Sequence, residues 1–270
     1  MIKHLGLKAY GKINLGLDVV RKREDGYHEV RMIMQTVRVY DKIDLVRSEQ
    51  PGIRLETNLY YLPDNENNLG YRAAKLLMDE FGVTEGVEIK MKKFIPVAAG
   101  MAGGSSDAAA VLFGVNKMFS LGLTTEQLME RGVKLGADVP YCIMRGTALS
   151  EGIGEILTPL PPMPQCQILI AKPPISVSTK FVYENLNLPS LSRDAHPNID
   201  KIAKALASRD FYGVADNLGN ILETVTIPAH PVIREIKEKM MELGAVNALM
   251  SGSGPTVFGL FVNPVAAQEA

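Results

Sequence analysis

Three glycines and two serines in PVAAGMAGGSSDAA (residues 96–109) have the make-up of an anion cradle. Gly100, Gly103 and Gly104 let the backbone turn sharply and come close to a ligand. Ser105 or Ser106 can cap the helix that the following Ala-rich run predicts. The free amides at such a helix start carry partial positive charge, which suits phosphate. The stretch fits neither common phosphate pattern. GxxxxGKS and GxxxxGKT need a lysine that is missing here, and GxGxxG does not occur. On pattern alone, a tight structural turn stays open beside phosphate binding. If phosphate does sit here, its balancing cation must come from another element.

Candidates for that element and its chemistry are spread along the chain. Lys12 lies in YGKINLGL among alternating apolar residues, where a solvated strand lysine is the ordinary reading. Asn14 follows two residues later on the same strand face. Asp138 lies in GADVPY, where an Asp just ahead of a Pro often does no more than cap a turn. Tyr27 and His28 follow the Asp25-Gly26 turn, and rings in a turn are commonly surface packing. Glu66-Asn67-Asn68 can N-cap the helix that starts there. Ser251-Gly252-Ser253-Gly254 reads as a turn between strands, and Met101 as a packing residue.

The elements around these residues follow from periodicity. LGLKAYGKINLGLDVV alternates and reads as one or two strands. VRMIMQTVRVYDKIDLVRS reads as two more, split near Asp41-Lys42. NNLGYRAAKLLMDEFG places Leu69, Ala73, Leu76, Leu77 and Phe81 at helical spacing and stops at Gly82. GVEIKMKKFIPVA alternates and leads into the glycine stretch. The helix beyond that stretch presents Ala109, Leu112, Phe113 and Asn116 along one stripe. TTEQLMERGVKLG is a short Thr-capped helix, and the segment from Ala137 to Leu160 turns to short strands and glycine turns. TPLPPMPQ, with four prolines in eight residues, marks a domain boundary, giving domains 1–157 and 158–270. After it come a strand (167–172), helices near 180–187 and 198–208, a helix in HPVIREIKEKMMELG, and strand–turn–strand in AVNALMSGSGPTVFGLFV. The closing PVAAQEA reads as the start of a helix. Strands and helices interleave without a regular βαβ rhythm, which predicts α+β.

Composition removes several function classes. A formal net charge of -1 over 270 residues offers no footprint for nucleic acid or a membrane surface, and Arg21-Lys22-Arg23 is too short to change that. Cys142 and Cys166 stand far apart with no companions at metal-ligand spacing, and two thiols in so long a chain suit a reducing compartment. No apolar run approaches the roughly 18–20 residues of a membrane helix. The N-terminal residues show no targeting pattern, so the expected location is the bacterial cytoplasm.

PVAAGMAGGSSDAA resembles the glycine–serine loop of the GHMP kinases, AYGKINLGL their N-terminal motif and MSGSGPTVFGLF their C-terminal glycine motif. Order, spacing and length agree over nearly the whole chain. KINLGLDVVRKREDGYHEV, LGADVPYCIMRGTALSEGIGE and KPPISVSTKFVYENL resemble one branch in particular. Its members phosphorylate the 2-hydroxyl of 4-diphosphocytidyl-2-C-methyl-D-erythritol in the non-mevalonate isoprenoid pathway.

The resemblance implies a two-domain α+β fold. Its N-terminal lobe would be ribosomal-S5-domain-2-like, its C-terminal lobe a ferredoxin-like sandwich, and the site would lie between them. It makes Asp138 the general base and Lys12 the orienting cation. Residues Pro96, Val97, Ala98, Ala99, Gly100, Met101, Ala102, Gly103, Gly104, Ser105 and Ser106 would wrap the ATP phosphates, with Asn67 near the adenosine. Tyr27, His28 and Tyr183, preferred to Phe181, would hold the cytosine, with Thr179 beside Tyr183. Asn14 would contact the sugar alcohol or a phosphate. Mg²⁺ would accompany ATP, with no ligand residue identifiable, and the protein would be a monomer or homodimer. Two other readings compete: a homoserine- or mevalonate-type kinase, which has no use for Tyr27, His28 and Tyr183, and a non-catalytic ATP-binding regulator, which has no use for Lys12 with Asp138.

Overall fold

The computed structural model describes residues 2–270. They form two compact units interleaved along the chain. One comprises residues up to Gly11 with 37–97 and 102–145, and the other 12–36, 98–101 and 146–270.

Two long strands, β1 (His4–Lys22) and β2 (His28–Ser48), pass through both units, so each half is described with its own unit. In the first unit β2 pairs with β4 (Gly86–Lys92), antiparallel, with Ile43 opposite Met91 and Leu45 opposite Ile89. β4 pairs in parallel with β3 (Gly52–Thr57), a strand that periodicity did not single out. The predicted break in β2 at Asp41-Lys42 is absent. Asp41 is fully buried, and its Oδ1 accepts the amides of Phe94 (2.5 Å) and Ile95 (2.8 Å), so the charge ties β2 to the next segment and does not open a turn.

Four helices complete this unit: α1 (Leu69–Glu80), α2 (Gly103–Met118), α3 (Thr125–Val133) and α4 (Val139–Met144). Asn68 caps α1 by accepting the Gly70 amide. Thr124 and Gln127 close a capping box on α3, which stabilises its start by about 1 kcal/mol. α2 packs on α1, α3 and α4, and it is buried almost all round. That corrects the expected stripe: Ala109, Leu112 and Asn116 are buried, but Phe113 is 40% exposed, with the Lys117 amine 5.7 Å from its ring centroid. Small side chains from Ala108 to Ala110 let a helix lie this deep. α4 replaces the start of the stretch expected to hold short strands and glycine turns, because six residues starting at a Val-Pro pair carry too little period.

In the second unit β2 pairs antiparallel with β5 (Thr147–Glu151), and β5 with β6 (Ile156–Pro159). β7 (Gln167–Ala171) follows the proline run, then α5 (Thr179–Glu184), α6 (Ile199–Ala207) and α7 (Phe211–Asp216). The two-residue β8 (Gly219–Asn220) lies parallel to β1, with Gly16 opposite Gly219. After α8 (Glu223–Ala229) and α9 (Val232–Glu242), β9 (Asn247–Met250) and β10 (Val257–Phe261) form a three-stranded antiparallel sheet with β7 in the order β7-β10-β9. α10 (Pro264–Glu269) ends the described chain. Every residue of β10 is buried, and α9 covers this sheet with Ile233 and Met240, while Lys237 pairs with the Glu223 carboxylate (2.6 Å).

Candidate active site

Lys12 and Asn14 are polar residues on a strand whose neighbours Ile13 and Leu15 are fully buried, yet both are buried too, at 5% and 0% exposure. Burial of an ammonium is costly without partners, and Lys12 has them. Its Nζ donates to Asn14 Oδ1 (2.8 Å) and to the Gly100 carbonyl (3.1 Å). Asn14 Nδ2 in turn points at Met32 Sδ (3.2 Å), a weak acceptor that fixes which way the amide faces. The Lys12 amide donates to the Met101 carbonyl (3.1 Å). Residues 98–101 are thus strapped to β1 by backbone and side chain together, and the cation that the glycine stretch lacks arrives from that strand.

The Gly100 carbonyl accepts a second hydrogen bond, from Ser251 Oγ at 3.0 Å. Gly100 sits at φ +71, and a Cβ there would collide with the Ser251 carbonyl, so only glycine fits. The turn it abuts is itself anchored: Asn220 Nδ2 donates to the carbonyls of Met250 (2.9 Å) and Gly252 (2.8 Å). The SGSG turn therefore backs the loop within this unit.

Also in this unit, the ring of His28 lies 5.1 Å from that of Tyr183, tilted by 41°. Burial, and then the nearby Lys22 charge, push the His28 pKa below its ordinary value, which favours the neutral imidazole at pH 7. Ser178 caps α5, and Thr179 Oγ1 lies 2.9 Å from Ser253 Oγ, next to the Gly100 anchor. Tyr27 is 61% exposed on the turn and Phe181 44% exposed. Of the expected cytosine-binding rings, His28 and Tyr183 meet.

The rest of the loop belongs to the first unit. Ala102 takes the left-handed conformation (φ 55) as the residue preceding α2 and makes no side-chain cap. The expected serine cap is not formed. Ser105 and Ser106 are the third and fourth residues of the helix, and Ser106 Oγ donates to the Tyr10 carbonyl (2.6 Å). With no side chain capping them, the amides of Gly103, Gly104 and Ser105 have no acceptor within the helix. Ala98, in the second unit, is also left-handed (φ 50). Two alanines in this region hold about 1–2 kcal/mol each of backbone strain, of the kind found at ligand clamps.

Asp138 immediately precedes α4, is half-buried, and does not cap that helix with its side chain. Asn67 is exposed, and its amide bonds within its own turn to Asn65 Oδ1 (3.0 Å). Pro96 and Val97, half-buried, lead into the loop.

One charged cluster escaped sequence reasoning. Lys93 Nζ is shared by Asp41 Oδ2 and Asp107 Oδ2, with all three side chains at most 5% exposed. Burial raises Asp107 to about 7, against the pull of Lys93 and with a further push from Asp41. Its one trace in the sequence is an Asp in the middle of SSDAAA, a helix stretch otherwise too small and apolar to be surface. No group of three His, Cys, Asp or Glu side chains able to hold a metal stands together among the described residues.

Residues 68–146 match the GHMP kinases N terminal domain and residues 202–270 the GHMP kinases C terminal domain. The chain is 59% identical over 266 residues to 4-diphosphocytidyl-2-C-methyl-D-erythritol kinase of Lachnoclostridium phytofermentans, covering 98% of this chain and 91% of that one. It is 51% identical over 269 residues to the same-named protein of Alkaliphilus metalliredigens, covering 100% and 92%. The crystal structure of a 4-(cytidine 5'-diphospho)-2C-methyl-D-erythritol kinase superposes with TM-score 0.84 at 32% identity, covering 98% and 93%. The homoserine kinase of Cytophaga hutchinsonii shares the fold, with TM-score 0.77 at 19% identity over 100% and 88%.

Proposed function

Since this chain belongs to the 4-diphosphocytidyl-2-C-methyl-D-erythritol kinase family of the GHMP kinases, and is an enzyme of that activity, we propose how its residues divide the work. ATP donates its γ-phosphoryl group to the 2-hydroxyl of the CDP-linked alcohol, giving the 2-phosphate and ADP. Asp138 takes the hydroxyl proton as the oxygen attacks the γ-phosphorus in line, and the bond to the β-phosphate oxygen breaks without a phospho-enzyme. Base catalysis of this kind contributes about 10²–10⁴-fold. Lys12 supplies fixed positive charge where phosphoryl transfer depends on it. Residues 96–106 hold the ATP phosphates on backbone amides, with Asn67 near the adenosine.

The cytosine is held by His28 and Tyr183, with Tyr27 closing from the turn, Thr179 beside them and Asn14 on the alcohol or a phosphate. A neutral His28 can both donate and accept, as reading a base edge requires. ATP is accompanied by Mg²⁺. Such an ion would be carried chiefly by phosphate oxygens and water. No helix of the described residues is long and apolar enough to cross a membrane. We place the enzyme in the bacterial cytoplasm as a monomer or homodimer.

The observation that supports this reading most directly is the buried Lys12, whose Nζ reaches the Gly100 carbonyl of the loop. The test is ADP formation with Mg²⁺-ATP and the CDP-alcohol, with homoserine and mevalonate in parallel. Turnover with the CDP-alcohol alone, falling at least about 100-fold in Asp138→Asn with ATP affinity retained, is the expected result. Asp138→Asn at wild-type rate would remove the base assignment, and turnover with homoserine or mevalonate would remove the role of the rings.

A further inference from the structure

The Asp41–Lys93–Asp107 cluster takes no part in the chemistry above, yet it lies within the first unit against the start of α2. Asp107 is the fifth residue of α2, whose first three amides are the ones free to meet an anion. Lys93 Nζ is 3.5 Å from where a Cβ on Gly103 would stand, so the cluster lies against the first residue of that helix. Asp41 is locked, since its two oxygens take Lys93 and the amides of Phe94 and Ile95. Asp107 is held on one side only. Its Oδ2 takes Lys93, while its Oδ1, equally buried, meets no hydrogen-bond partner. An ionised carboxylate with one bare oxygen is costly in such a place.

Two carboxylates and one ammonium sum to a charge of -1, and a proton on Asp107 brings that to zero. The charged groups acting on Asp107 are Asp41 from β2 and Lys93 from the segment after β4. α1, α3 and α4, the other helices packed on α2, bring no ionisable group that acts on it. We propose that Asp107 is a positioning residue that sets the charge beneath the first turn of α2, and so couples uptake of one proton to the binding of a polyphosphate at residues 103–105. The inference rests on the loop being the phosphate site.

The coupling runs both ways. Phosphate charge over the helix start disfavours the ionised carboxyl beneath it, and a protonated Asp107 leaves more of the Lys93 charge for the phosphate. The carboxyl sits near 7 without ligand, so it is part-protonated at neutral pH and responsive in both directions. Nucleotide raises it further. Asp107→Asn keeps shape and neutrality but cannot exchange the proton.

The probe is β,γ-imido ATP with the full-length protein, measured by calorimetry at pH 7 in buffers of different ionisation enthalpy. The wild type is expected to take up about a third of a proton per nucleotide, and Asp107→Asn none beyond what the nucleotide itself exchanges. Relative to that variant, wild-type affinity rises about 2.5-fold to fivefold from pH 8 to pH 6. The carbon-13 signal of the Asp107 carboxyl gives a second readout that needs no variant. Its titration midpoint moves up by about half to one pH unit when nucleotide is added. Normal nucleotide binding with equal proton uptake in both proteins, or an unmoved carboxyl midpoint, overturns the inference and leaves the loop assignment standing. Failure of the wild type to bind nucleotide at either pH sinks the loop assignment, and the inference with it.

Discussion

Gly100→Ala tests whether the loop conformation, and not only its composition, is what the enzyme needs. At φ +71 an L-residue costs about 1 kcal/mol. Its Cβ would stand 3.0 Å from the Ser251 carbonyl carbon, nearer still to the oxygen, and 3.4 Å from the Gly254 nitrogen. Comfortable carbon contacts begin at about 3.5 Å, so one side must move by roughly 1 Å. The turn resists, being held by Ser251 N–H on Thr256 O (2.9 Å), Gly254 N–H on Ser251 O (3.0 Å) and the two Asn220 bonds. The loop therefore yields, and it carries the Gly100 carbonyl away from Lys12 Nζ and Ser251 Oγ. Misplacement of about 1 Å costs on the order of 100-fold in rate, or about 2.7 kcal/mol of transition-state stabilisation. Two weakened hydrogen bonds and the strain together cost about 2–3 kcal/mol of stability. Initial rates of ADP formation and urea denaturation measure the two effects. Gly122→Ala is the internal control: its φ is +75, but nothing lies within 4 Å of the added methyl. It should lose about 1 kcal/mol of stability and keep its rate. Gly100→Ala within twofold of wild type, or no worse than Gly122→Ala, would refute the reasoning.

Tyr183→Leu should raise KM for the CDP-alcohol about 5- to 150-fold, the loss of one base stack of about 1–3 kcal/mol, and leave KM for ATP alone. Phe181→Leu should change neither, and equal effects from both would discard the ring assignment. His28 should titrate below 6.5 when its imidazole signals are followed by proton NMR. Because the native ring resists the proton more than the unfolded one does, stability drawn from the neutral form is complete above that pH and is lost as pH falls. Lys22→Ala should move the His28 midpoint part of the way back up, since burial is the larger cause and remains.

Periodicity found nearly every long element, because strands such as β4 and helices such as α1 each bury one face and show it. It missed β3, α4, α7, α8 and the two-residue β8, all too short to show a clear repeat. It misjudged Asp41, since a charge in mid-strand looks like a turn unless its partner, 52 residues on, is known. Lys93 and Asp107 share that difficulty: an ion cluster drawn from three distant segments has no period. The loop and its glycines could be read directly, but the role of Lys12 came from resemblance, since no spacing rule joins residue 12 to residue 100. Caps divided in the same way. Thr124 announced itself through Gln127 three residues on, whereas Ala102 precedes α2 in a conformation its residue type does not suggest.

The chain passes from one compact unit to the other at 11/12, 36/37, 97/98, 101/102 and 145/146. On the ribosome, residues 12–36 therefore emerge early, while some of their partners are made much later. Gly16 and Leu17 pair with Gly219 and Asn220, and Gly100 with Ser251. Everything the first unit needs has been synthesised by residue 145, whereas β1 can meet β2 early but must wait for β8 until roughly the last 50 residues appear. No cut at a single peptide bond separates the two units, so a half-length fragment carries either an incomplete unit or a stranded hairpin. A nascent chain accordingly keeps the β8 side of β1 open for most of its synthesis.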